Sequence, residues 1–439
     1  MNRTRSALVA LLFGSLATVP ASASVCAVDT VPAASLLIPY VHFDYGAGCG
    51  PLSALTRDTE FWFHNTDNES QLSRVTLWSR AGIPVLDFLV YQQGRESHRF
   101  RLRDLLCNGV LPRTGPGEAN TSRFSVLGTP SIAGCNNTTF GSEPPMYPPL
   151  TAQQLGDLRL ALTGKVVAAA NGCYAPDAGD DLARGYVTID VVTNCAAGTP
   201  ADAAYYGTIG HANVLVGGYL MDDGQQNAGY GGAAIAIESA PAGRFVQDAS
   251  TFYGRYDGFS GDDRREPLPS TWMAGFAHSG ASGSNGEFIV WREVPKLAPS
   301  MALCGGSSDG AEIPLEARAQ RLFDAGGNSQ PAPQGPPAAI PLATQRIPAA
   351  ALENTSIVGS AGRTGLGYAH LADGTADPRL GQAWLGAVFT TEERYGEIVS
   401  GIPMDSRCAA GSATAADVRG PTPTNPTFAS YVFADRFED

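Results

Sequence analysis

Short segments rich in β-branched and aromatic residues recur along this chain, and each is closed by Gly, Pro, Asn, Asp or Ser. "SLLIPYVHFD" (35–44), "LTRDTEFWFHNTD" (55–67), "SRVTLWS" (73–79) and "VLDFLVYQ" (85–92) follow one another in this way, separated by "NTDNES" and "RAGIP". Such spacing is the mark of strands joined by turns. With 51 Gly and 31 Pro in 439 residues, few stretches can carry a helical ladder far. In "TEFWFHN", Phe61 and Phe63 fall on one face of a strand and Trp62 on the other, which predicts that both faces are covered, as between stacked sheets. The expected fold class is mostly β: an antiparallel β-sandwich with Ig-like or jelly-roll-like layers, one inserted helix and disulfides.

Further along, "SHRFRLRDLL" (97–106) reads as a strand with Phe100 and Leu102 inward and Arg99, Arg101 and Arg103 on a solvated face. The inserted helix is expected over about 151–164, where Thr151 is an N-cap, Leu155, Leu158 and Leu162 have helical spacing, and Gly164 stands near the end. Strands are expected again in "GYVTIDVV" (185–192), "HANVLVGGYLM" (211–221), "GGAAIAIES" (231–239), "STFYGRY" (250–256), "GEFIVWREV" (286–294) and "GLGYAHL" (365–371), and in two strands around a polar turn within 382–402. "GGNSQPAPQGPPAAIP" (326–341) reads as an exposed loop. The resulting division is a signal peptide (1–23), a large β-sandwich region (24–300), a C-terminal β extension (301–408), and a Pro/Thr linker with a short tail (409–439).

The leader assignment rests on Arg3 and Arg5, an apolar run from Ala7 to Val19, and Ala21-Ser22-Ala23. A basic start, a short apolar core and an A-x-A exit describe a secretory signal peptide, and the run is too short to span a bilayer. Cleavage is expected after Ala23, leaving a secreted, periplasmic or cell-surface chain of a Gram-negative bacterium. All eight cysteines lie beyond that point: Cys26, Cys49, Cys107, Cys135, Cys173, Cys195, Cys304 and Cys408. An even number in an oxidising compartment implies disulfides. Among on the order of 100 possible pairings, pairing of sequence neighbours (26–49, 107–135, 173–195, 304–408) is expected, because each would close a Gly- or Pro-rich loop.

The formal net charge is −13, from 29 bases and 42 acids. Losing Arg3 and Arg5 with the leader leaves 27 bases against 42 acids, or −15. Such a field disfavours nucleic acid and anionic membrane surfaces as partners. A cell-surface polymer or glycan is the partner class left open, and no transmembrane segment is expected.

"LLIPYVHFD", "WSRAGIPVLDFLVY", "FRLRD", "RGYVTIDVVTNC", "HANVLVGGY" and "FYGRY…REPLP…W…FIVWRE" resemble, in combination, the segments of a group of uncharacterised exported bacterial β-rich proteins. The resemblance covers roughly residues 35–300 and implies fold class and location, with no activity attached. The closing "SYVFADRFED" looks like the short aromatic-acidic tails of exported proteobacterial proteins, which serve as a sorting or anchoring tag or form a disordered end.

The chemistry is sparse. No C-x-x-C or H-E-x-x-H is present and the six histidines are scattered, so zinc sites lack their patterns. The Gly-framed serines of "VGSAGR" (358–363) and "HSGASGSNG" (278–286) do not give G-x-S-x-G and are read as loop residues. Paired carboxylates for glycoside cleavage meet only in the fold; the candidates are Asp87, Asp190, Glu238, Asp263, Glu266 and Glu293, with Asp263 and Glu266 the leading pair. Asp87 and Asp190 interrupt apolar strands and are read first as carboxylates at an edge or bulge, bonded to backbone N–H or to an arginine. "GFSGDDRREPLPSTW" (258–272) is read as a pinned, exposed connection whose charges neutralise each other or Arg255. Its neighbourhood, with Tyr253, Arg255, Asp262, Asp263, Arg264 and Trp272, is the place to look for a ligand. No cofactor is expected beyond a structural calcium near Asp177, Asp180 and Asp181. The leading expectation is a non-catalytic structural, adhesive or carbohydrate-binding protein. The alternatives are a secreted glycan hydrolase and a subunit of a surface fibre or layer.

Overall fold

The computed structural model describes residues 31–50, 57–111, 124–125, 150–193, 198–224, 228–241, 251–257, 263–278, 287–297, 299, 303–304, 319–324, 329–331, 342–348, 363–371, 381–390 and 395–403. The expected leader (1–23) and the linker and tail (409–439) lie outside them. In chain order the first elements are β1 (Ser35–Asp44), α1 (Tyr45–Gly48), β2 (Arg57–Asn65), β3 (Gln71–Ser79), β4 (Pro84–Gln92), β5 (Ser97–Arg101), α2 (Leu102–Asn108), β6 (Phe124–Ser125) and α3 (Ala152–Thr163). Then come β7 (Val166–Val167), β8 (Gly172–Cys173), β9 (Leu182–Val192), β10 (Leu215–Asp223), β11 (Ala228–Ala233), β12 (Ile235–Ile237), α4 (Gly254–Asp257), β13 (Thr271–His278) and β14 (Glu287–Arg292). The last are β15 (Ala319–Asp324), β16 (Ser329–Pro331), β17 (Thr344–Pro348), β18 (Arg363–His370), β19 (Ala383–Thr390), β20 (Tyr395–Ser400) and β21 (Ile402–Pro403).

The chain is mostly β. A six-stranded sheet runs β12-β1-β9-β3-β4-β6, an eight-stranded sheet β17-β14-β19-β20-β11-β10-β2-β5, and a five-stranded sheet β16-β15-β18-β13-β21. Strands from 301–408 thus enter the eight-stranded sheet beside β14 and β11, and the five-stranded sheet beside β13. Pairing is antiparallel throughout the described strands except between β11 and β20, which are far apart in sequence and so need no hairpin. Buried on both faces, β1 and β9 read as near-continuous apolar runs. Pro39 cannot donate to a ladder, and the register of β1 with β9 shifts between Ile38 and Val41 around it.

The helix at 152–163 matches its signals: Thr151 and Gln154 form a reciprocal capping box, and Gly164 takes a left-handed φ of 85° at the C-terminus. Three expectations are corrected. The strand expected over 97–106 stops at Arg101, because Leu102, Leu105 and Leu106 have helical spacing and bury together on α2, so that helix joins the single insertion expected. Within 250–256, no strand forms over 251–256, where Gly254 opens the short α4. Ser329–Pro331, inside the expected loop 326–341, pairs with β15.

The neighbour pairing of cysteines is overturned. Cys49 bonds Cys107, with Cα atoms 5.4 Å apart, and Cys173 bonds Cys304, at 5.3 Å. Each expected pair loses a member to one of these bonds. Which elements meet in space decides the matter: α1 lies against α2, which carries Cys107, and Cys173 on β8 meets a residue 131 positions away. Cys26, Cys135, Cys195 and Cys408 lie outside the described residues. A digest under non-reducing conditions is expected to yield linked peptides holding Cys49 with Cys107 and Cys173 with Cys304. Replacing Cys173 and Cys304 together with alanine is expected to lower unfolding free energy by about 2–4 kcal/mol, read from urea denaturation.

Candidate functional site

Alternation along the strands and their register decide which polar groups meet. On β9, Tyr186, Thr188 and Asp190 share a face; their partners are Trp78, Thr76 and Arg74 on β3, and Ser35 lies opposite Asp190 on β1. This face of the six-stranded sheet therefore carries a polar row, Ser35–Asp190–Arg74, which continues to Asp87 on β4 through a buried Arg74–Asp87 ion pair. Asp190 accepts from the Ser35 hydroxyl, from Tyr205 at 2.7 Å and from Tyr253 at 2.9 Å. Arg265, fully buried, lies 3.5 Å from the same carboxylate and donates through Nε to Ser35. Its Nη2 reaches the carbonyls of Ala34, Val191 and Gly210 at 3.0–3.3 Å. One guanidinium thus joins the entry to β1, the end of β9 and the loop that follows.

Asp263 completes the arrangement. Its two oxygens accept from the backbone N–H groups of Arg265 (3.1 Å) and Tyr253 (3.3 Å). Burial pushes its carboxyl above the ordinary range, and Arg265 pulls against that shift. Burial, followed by the negative charge of Asp190, holds the Tyr205 and Tyr253 phenols well above their usual pKa, so both remain donors. Beside this network Trp78 stacks on Tyr186 (5.5 Å between centroids) and Phe252 on Trp291. Arg255 lies over the Tyr256 ring at 4.2 Å and pairs with Glu293 at 2.6 Å. The cavity between these groups has a volume of about 10 Å³, roughly the space of one water.

The structure gathers Tyr253, Arg255 and Asp263 around one aromatic layer, and all three side chains are buried. Trp272 is buried elsewhere, its indole N–H donating to Ala383 at 2.8 Å. Arg264, Glu238 and Glu266 are half-buried, and the Glu266 N–H donates to the Glu238 carbonyl. Asp262 lies outside the described residues. The charges of 263–266 were expected in an exposed connection neutralising each other or Arg255. Asp263 and Arg265 do pair, at 3.7 Å, but both are sealed; Arg265 also reaches Asp190 and the carbonyls at the ends of β1 and β9, and Arg255 turns to Glu293. Asp190 was expected at an edge or bulge and is on the internal strand β9, while both acids do face an arginine, Asp190 with Arg265 and Asp87 with Arg74. Of the calcium candidates, Asp180 is held by both Nη atoms of Arg184, Asp181 by Lys165 and Arg159, and Asp177 accepts from the Gly179 N–H. Among the described residues no group of three or more His, Cys, Asp or Glu side chains is placed to hold a metal.

Two features carried no sequence signal. His211 Nδ1 lies 2.8 Å from Ser239 Oγ, and Asn213 bonds both backbone groups of Ser239; the partners are 28 residues apart and fasten the chain beyond β12. His42 is buried between Thr59, whose hydroxyl accepts from the His42 N–H, and the Asp222 carbonyl. Burial, then the charge of Arg346, lowers its pKa to about 3, with Asp223 opposing.

On the opposite face of β2, Asp58 and Glu60 are buried and Trp62 opens to solvent. Phe61 and Phe63 point into the core, whereas Trp62 is 38% exposed, so the expectation that both faces are covered fails at Trp62. Trp62 faces Gly218 on β10 and Arg99 on β5. A Cβ on Gly218 would come within 2.7 Å of the indole, so the ring lies down against the strand. Glu60, next on the same face, pairs with Arg99 and with Arg101 at 3.3 Å. Burial pushes the neighbouring Asp58 carboxyl up to about 7.

No protein-family model matches the chain, and neither a curated protein nor a solved structure matches it. No helix among the described residues is long and apolar enough to cross a membrane. Fold and geometry therefore define the chain as a mostly β, disulfide-linked protein built around a buried ionic layer.

Removing one partner of a buried ion pair strands the other charge. Arg265→Leu is expected to lower unfolding free energy by about 3–5 kcal/mol, measured by urea denaturation. In pH titration, His42 stays neutral in the folded chain down to about 3 while the unfolded chain binds a proton near 6.5. Its contribution is therefore present above pH 6.5 and lost as pH falls toward 3, at up to about 1.4 kcal/mol per pH unit. Relative to wild type, His42→Gln is expected to show a shallower loss of stability over that window.

Proposed function

We propose that this chain is an exported, non-catalytic protein of the cell envelope or exterior, with sheets layered as a sandwich and a structural, adhesive or carbohydrate-binding role. The observation that carries this reading is the use of the charged groups. Asp87, Asp190, Asp263 and Glu293 are buried, and each is engaged by an arginine, hydroxyl or backbone donor of the chain itself. Glycoside cleavage needs two carboxyls about 5–10 Å apart across a space that admits a sugar and a water. The cavity that Glu293 lines is about 10 Å³, and Asp87, Asp190 and Asp263 are not among its lining residues. The paired cysteines suit an oxidising compartment.

The purified protein is expected to release no reducing ends from soluble polysaccharides and no chromophore from nitrophenyl glycosides or esters. Asp263→Asn and Glu266→Gln are expected to leave that blank unchanged. Turnover abolished by either substitution sinks the proposal and restores the hydrolase.

A further inference from the structure

Four of the chain's five tryptophans, Trp78, Trp272, Trp291 and Trp384, are buried; Trp62 is the fifth. The ground around it is bare. Outward positions of β11 beside β10 are Gly229, Gly231 and Ala233, opposite Asp222, Leu220 and Gly218. Glycine at Gly218 is required, because the indole covers it. At Gly229 and Gly231 it is not. A Cβ there would meet no atom of the described residues closer than 3.6 Å, and neither residue has a positive φ. Glycine inside a strand weakens it and, where packing does not demand it, marks close approach of something from outside.

We propose that Trp62 and the glycine floor of β10 and β11 form a binding platform for a neutral polysaccharide. The apolar C–H face of a pyranose ring stacks on the indole, and the chain of sugars continues across Gly218, Leu220 and Gly231. That floor spans two strand spacings, about 10 Å, and among the described residues its outward positions on β10 and β11 carry only Leu220, Asp222 and the methyl of Ala233 beside the glycines. Polar contacts along its side come from Glu60, Arg99 and Arg101. Arg99 and Arg101 are matched by Glu60 and Asp58, and Asp222 stands on the same face, so the platform offers no cationic excess to a polyanion, which the chain's net −13 also repels. An aromatic body with hydroxyl-matching groups beside it fits a ligand that is apolar on one face and polar around its rim.

This inference rests on the non-catalytic reading, but the two fail differently: that one on released product, this one on retention. The test is native affinity electrophoresis of the full chain through gels containing hydroxyethylcellulose, xyloglucan or galactomannan, with alginate as the polyanionic control. Retardation by at least one neutral polymer is expected, with none by alginate. Trp62→Ala is expected to weaken retardation at least tenfold, and Trp62→Phe less. Gly231→Val, which the strand accommodates, is expected to weaken it equally with the thermal midpoint unchanged, and it decides the matter if Trp62→Ala does not fold. Absence of retardation by all three polymers, or retention untouched by both Trp62→Ala and Gly231→Val, overturns the proposal. So does a wild-type dimer that Trp62→Ala dissociates without any polysaccharide retention, since the face would then bind a second copy.

Discussion

The Asp190–Arg265 contact is the constraint on which the rest of the six-stranded sheet depends. A carboxylate on the central strand of a sheet is expensive to bury unless its charge is matched and its lone pairs are filled. Here two phenols and a serine fill the lone pairs, and a guanidinium 3.5 Å away matches the charge. The same guanidinium satisfies three backbone carbonyls from Ala34, Val191 and Gly210, which would otherwise be buried acceptors without donors. The segment that delivers Arg265 is in turn fixed by Asp263, whose oxygens bind the Arg265 and Tyr253 backbone. Charge, chain path and aromatic covering therefore depend on one another, and a change at any one of them disturbs the others.

This arrangement explains why a charged, aromatic-rich stretch need not be an active centre. Catalysis asks for groups that change partners or protonation during a cycle. The groups around Asp190 have fixed partners, and the phenols facing it are held protonated. The exposed side of the eight-stranded sheet is built on the opposite plan. Its charges pair with one another, one indole lies open, and β11, two strands from it, carries glycines that the packing does not require.

Much of the fold was legible in the sequence. Short strands, their alternation, the capped helix at 152–163 and the use of cysteines for disulfides all have local causes: turn residues, period-two patterning and an N-cap. What stayed hidden depends on contacts between residues far apart in sequence. Cys173 pairs over 131 positions, Arg265 lies 75 positions from Asp190, and β11 meets β20 in parallel. Leu102 was misread because one apolar residue suits a strand as well as a helix, and only Leu105 and Leu106 break the tie. The "DDRRE" motif marked an important place but not its role, because burial cannot be read from charge. The Trp62 face was misjudged for the converse reason: an aromatic residue in a strand usually signals a second covering layer, and only register shows that Gly218 lies beneath it.

The central claim is that the acids of the aromatic layer are sealed, structural groups. Carboxyl footprinting of the native chain, using a carbodiimide with glycine ethyl ester and mass spectrometry, tests it most directly. The account predicts that Asp87, Asp190, Asp263 and Glu293 remain unmodified until the chain is unfolded, while exposed Glu69 and Asp104 react readily. Labelling of Asp190 or Asp263 in folded protein at the rate of Glu69 would contradict it.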